Sequence, residues 1–88
     1  MPVYIGERYI PQAEREVAMD QADRIRNAVL EAAPEGAPVR LLSTTFVPNE
    51  EWVFDLFEAE SADHVRRIYE VSGVPVERVT EGVHLPGS

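Results

Sequence analysis

Hydrophobic positions recur with two different periods along this chain, and the points where the period changes divide it into six elements. Val3-Tyr4-Ile5-Gly6-Glu7-Arg8-Tyr9-Ile10 is rich in β-branched and aromatic residues and is closed by Pro11, which predicts a strand. Ala18, Ala22, Ile25, Val29 and Ala32 then recur at helical spacing, while Glu14, Asp20, Asp23, Arg24 and Glu31 fall elsewhere on the wheel, so the segment reads as an amphipathic helix. Pro34-Glu35-Gly36-Ala37-Pro38 ends it, because proline cannot continue the hydrogen-bond ladder and glycine frees the backbone to turn. Val39 to Val47 reads as a second strand and Trp52 to Glu58 as a third, antiparallel to it across the turn residues Pro48-Asn49-Glu50-Glu51. Ser61 stands where a helix N-cap belongs, with Asp63 in the first turn. Ala62, Val65, Ile68 or Tyr69, and Ser72 form the inner face of this shorter helix, which Ser72-Gly73-Val74-Pro75 stops. Val76 to Val83 alternates as a half-buried strand.

Strand, helix, strand, strand, helix, strand is the split βαβ arrangement of two right-handed crossovers. The expected fold is therefore α+β and ferredoxin-like, one domain over 1–88, with sheet order 4-1-3-2 and both helices on one face. The other face stays uncovered, yet Val53 and Phe57 flank Asp55, and Leu41 and Leu42 are adjacent. Apolar groups on an open face would lie in water, so the pattern predicts a homodimer pairing through that face.

Composition narrows the partners. Of 88 residues, 16 are acidic and 8 basic, giving a net charge of −8 that repels phosphate backbones and anionic lipid. Nucleic acid and membrane partners are not expected, and with neither a spanning apolar run nor an export signal the expected location is cytoplasmic. There is no cysteine, so disulfides, thiolate metal sites and thiol nucleophiles are excluded. Any metal must be held by carboxylate, backbone, water, or the two histidines, His64 and His84. So short a chain encloses a deep pocket more naturally with a second subunit.

Candidate chemistry centres on Asp55, in the middle of the most apolar strand. A carboxylate there needs water, a partner group or a ligand, since an unpaired buried charge is costly. Two readings are open. In one, Asp55 pairs with Arg8 from the neighbouring central strand. In the other it faces away from the helices toward the dimer interface, Val53 and Phe57 on its side and Phe54 and Leu56 in the core. There it would act as a general base or metal ligand, with Glu7 alongside as a second carboxylate. His84, after the last strand, is either a tail residue or a ligand reaching across the dimer, and His64 is expected on the surface. Arg8, Tyr9, Trp52 and Phe57 are the candidate pocket lining.

Four stretches together resemble a known family. Tyr4-Ile5-Gly6-Glu7-Arg8-Tyr9-Ile10-Pro11, Val39-Arg40-Leu41-Leu42-Ser43-Thr44-Thr45-Phe46-Val47, Trp52-Val53-Phe54-Asp55-Leu56-Phe57-Glu58-Ala59 and Ser72-Gly73-Val74-Pro75-Val76-Glu77-Arg78-Val79 match, in order and spacing, small ferredoxin-like bacterial proteins typified by an actinobacterial nickel-binding protein. The resemblance implies a ferredoxin-like dimer that binds a metal, nickel by kinship, or a small ligand. It also implies a cysteine in a "CLFEA" run where this chain has Asp55, and a hard oxygen donor there disfavours a thiolate nickel site. The preferred reading is a small soluble dimer binding a divalent metal or small molecule, with Asp55, Glu7 and His84 as metal ligands. The alternative is a cofactor-independent isomerase, cyclase or monooxygenase with Asp55 and Glu7 as catalytic residues.

Overall fold

The computed structural model describes residues 2–32 and 38–87. Its elements are β1 (Val3–Tyr9), α1 (Arg15–Ala32), β2 (Val39–Val47), β3 (Trp52–Ala59), α2 (Ala62–Ser72) and β4 (Arg78–Gly82), with single 3-10 turns at Pro11–Ala13 and Pro48–Glu50. All pairings are antiparallel in the order β2-β3-β1-β4, the expected 4-1-3-2 read from the other edge. The last strand is shorter at both ends than the run from Val76 to Val83. The expected break at Pro34–Ala37 lies outside the described residues.

Local chemistry sets the ends of α2. The Ser61 hydroxyl accepts from the His64 backbone N–H, and Gly73 adopts φ 71°, its N–H returning to the carbonyls of Tyr69 and Glu70. Along α1 the buried side is Ala18, Ala22, Ile25, Ala28 and Ala32, the expected stripe except that Ala28 is buried where Val29 was expected and Val29 is half-buried. Small residues on that side let the helix lie close to the sheet.

Strand parity decides where the chemistry sits. Tyr4, Arg8 and Ile10 from the first strand segment, and Val53, Asp55, Phe57 and Ala59 from β3, are all buried. They pack with Ile25, Ala28 and Ala32 of α1 and Val65, Ile68 and Tyr69 of α2. Asp55 therefore faces the helices, opposite to the interface placement considered above. Val53 and Phe57 do share its side, but that side is the core, while Phe54 and Leu56 alternate onto the open face. The charge is tolerated inside because Arg8 is buried directly beside it. This polar pair divides the core: Ile10, Ala18 and Val53 form one small cluster, and Tyr4, Phe57 and the residues around them a larger one.

β2 holds two phases. Leu41 pairs with Phe57 and Ser43 with Leu56, so Leu42 is an extra residue bulged out of the ladder. Beyond it Thr44 lies opposite Asp55 and Phe46 opposite Val53.

Candidate functional site

Asp55 is the hub of a closed network. Arg8 grips its carboxylate with two parallel bonds, Nε to Oδ2 at 2.7 Å and Nη2 to Oδ1 at 3.0 Å. The Thr44 hydroxyl donates to Oδ1 at 2.9 Å and the Tyr69 hydroxyl to Oδ2 at 2.7 Å. Arg8 extends the network to α1 by donating from Nη1 to Gln21 Oε1 at 2.6 Å. Four donors fill the lone-pair positions of one carboxylate, so none is left facing a substrate or cation. Burial first, then the charge of Asp55 and the bond to it, raise the Tyr69 pKa far above the ordinary phenol value, with Arg8 partly opposing. The phenol consequently remains a donor. The arrangement ties β1, β2, β3, α1 and α2 to one charge.

One of these partners, Tyr69, is made possible by a glycine. Gly6 stands opposite Asp55 in the β1–β3 register, and a Cβ there would lie 1.8 Å from the Tyr69 hydroxyl oxygen. Thr44, Tyr69 and Gln21 carry no motif of their own. The legible signal was Gly6 itself, since a glycine within a strand marks the close approach of another group.

The remaining candidates are dispersed. Glu7 points to the opposite sheet face from Asp55 and pairs with Arg78, Oε2 to Nε at 2.6 Å, so the two carboxylates do not form a dyad. Its ion pair raises the Arg78 pKa. His84 is exposed in the segment beyond β4, past Gly82, which pairs with Val3; Glu7 lies four residues further along β1. His64, expected on the surface, is half-buried, and its Nδ1 is enclosed without a hydrogen-bond partner. The four proposed pocket residues do not converge: Arg8 and Phe57 are in the core, whereas Tyr9 and Trp52 meet edge to face on the open side, centroids 5.5 Å apart. There Tyr9 also donates to Glu51 at 2.9 Å, and that bond raises its pKa. Among the described residues no group of three His, Asp or Glu side chains could hold a metal ion.

What the open face does offer is an apolar stripe. Val3 and Ile5 of β1, Trp52, Phe54 and Leu56 of β3, and Val47 of β2 are only partly covered. On the helix side a separate groove of about 220 Å³ runs between α1 and the edge strand β2, lined by Arg15, Ala18, Met19, Ala22, Arg26, Thr44 and Phe46. No helix among the described residues is long and apolar enough to cross a membrane.

A four-stranded antiparallel sheet of this order, with two crossover helices packed on one face, defines a ferredoxin-like protein. The chain belongs to the family described as nickel responsive protein SCO4226-like, whose model matches residues 4–81. The crystal structure of SCO4226 from Streptomyces coelicolor A3(2) superimposes with a TM-score of 0.70 over 97% of this chain and 99% of that one, at 20% identity. The search of curated proteins returned no match.

Proposed function

We propose that this chain binds a divalent metal ion or small ligand as a homodimer whose subunits meet through the open sheet face. The supporting observation is the apolar stripe of Ile5, Phe54 and Leu56 on a face that also carries Glu7, whose side chain is only 17% exposed. Pairing two such faces removes the stripe from water. It also lets one copy add donors to those of the other, which matters because no cluster of three ligating side chains is found among the described residues. Membership of a nickel-responsive family favours a metal as the ligand.

In this reading Glu7 and His84 are the protein's ligands, with Arg78 as the cation that a metal must displace from Glu7. Asp55 stands outside the set because its acceptor positions are taken by Arg8, Thr44 and Tyr69. Carboxylate and a single imidazole are a thin set for nickel, so binding should be weak, roughly micromolar at best from the preferences of such ions. Calorimetry with nickel on the parent, Glu7→Gln and His84→Ala tests it. Both substitutions should weaken binding, and tight binding unchanged in both would overturn the ligand set.

A further inference from the structure

The groove between α1 and β2 lies on the other side of the sheet from the face discussed above, and its lining is ordered by charge. Arg15, Ala18, Ala22 and Arg26 follow one another along one side of α1, with Met19 beside them and Phe46 and Thr44 of β2 opposite. Eleven residues of helix separate the two arginines by about 16 Å at the backbone, from the rise of about 1.5 Å per residue. Both side chains nevertheless line the same space. The result is a slot whose walls are mostly apolar side chains and whose lining includes one arginine from each end of this helical stretch.

These cations are not consumed by internal pairing. Arg26 gives Nη1 to Asp23 at 2.6 Å, in an exposed pair that leaves its other donors open. Arg15 makes no hydrogen bond or ion pair among the described residues. Thr44 spends its hydroxyl proton on Asp55 and so presents only acceptor capacity to the slot. The alanines hollow the middle, and Met19, 58% exposed, supplies an adaptable wall. At about 220 Å³ the space is smaller than the ~300–1,000 Å³ of drug-sized sites, which fits a slender chain.

We propose that this slot binds an elongated dianion with an apolar middle, the chemistry of an α,ω-dicarboxylate, one carboxylate on Arg15 and the other on Arg26. Charge complementarity sets the occupant: a monoanion satisfies one end only, and a neutral chain satisfies neither. Binding is independent of the open face and of any metal.

The test is titration of the intact protein with suberate, octanoate and octane-1,8-diol, followed by backbone amide shifts. Suberate should shift Ala18, Ala22, Thr44 and Phe46 and bind about tenfold more tightly than octanoate, as a second charge-assisted contact would give. Arg15→Gln and Arg26→Gln, both surface changes, should each bring suberate down to the octanoate level, and added salt should erase the difference. Ala22→Phe should abolish all binding by filling the slot. If that variant does not fold, the two arginine variants still decide. Equal affinity for suberate and the diol would overturn the proposal. So would shifts confined to the open face, no shifts at millimolar suberate, or concentration-dependent shifts of the slot residues without ligand, which would assign the slot to a second copy.

Discussion

Gly6 and Tyr69 share one volume: the place where residue 6 would put a Cβ is filled by the Tyr69 ring, 1.8 Å from its hydroxyl oxygen and 2.6 Å from Cζ. The backbone at Gly6 needs no unusual φ. Its side chain is absent because α2 delivers a phenol to Asp55 through that space. Gly6→Ala should therefore cost about 3 kcal/mol by forcing the ring away from the carboxylate, and in a Tyr69→Ala background the same change should cost under about 1 kcal/mol. Urea unfolding of the four proteins measures the difference.

Removing one partner of a buried ion pair strands the other. Asp55→Asn should destabilise the fold at neutral pH by about 3–5 kcal/mol, and Arg8→Met by a similar amount. The combination Arg8→Met with Asp55→Leu should be milder than the sum, since it removes both charges at once. Additive losses in urea midpoints would show that the two side chains act independently.

The raised pKa of Tyr69 has a defined sign. The unfolded phenol ionises at about 10, whereas the folded one holds its proton to higher pH. Stability from this group is thus complete below pH 10 and lost as pH rises beyond it, at up to about 1.4 kcal/mol per pH unit. Tyr69→Phe should start less stable, through loss of a donor to Asp55, but fall less steeply above pH 10. Chemical unfolding across pH 9 to 11.5 checks both statements.

Adjacent residues of β3 should fail differently. Phe54→Glu places a charge on the open face and should convert dimer to folded monomer in sedimentation, while Val53→Glu buries an unpaired charge among Ile10, Ala18 and Phe46 and should unfold the domain. A parent that sediments as a monomer at micromolar concentration would remove the dimer from the proposed function.

Element order, strand order, the Ser61 cap and the alternation within β3 were all legible, because each follows from local period or turn chemistry. Which parity of β3 entered the core was not. Both parities are apolar apart from one acid, Asp55 on one and Glu58 on the other, so hydrophobicity cannot choose between them. The choice rests on Arg8, which shares a parity with Tyr4 and Ile10, and a charge becomes an inward residue only when its partner is known to arrive from another strand. Thr44 and Tyr69 reach Asp55, and Gln21 reaches Arg8, from three different elements, which no short pattern records.

The extra residue at Leu42 makes β2 behave like a text read in two frames. Up to Leu41 odd-numbered residues turn inward; after the bulge even-numbered ones do, and that shift alone aims Thr44 at Asp55 and Phe46 at Val53. Straightening the bulge while keeping Leu42 would turn the page back to the first frame. With Leu42 paired regularly opposite Leu56, Ser43 and Thr45 would face the core, Phe46 would move onto the open face and Asp55 would be left one donor short, whereas deleting Leu42 would keep Thr44 opposite Asp55 and Phe46 opposite Val53; it is the extra residue's exclusion from the ladder that holds the far half of the edge strand in frame.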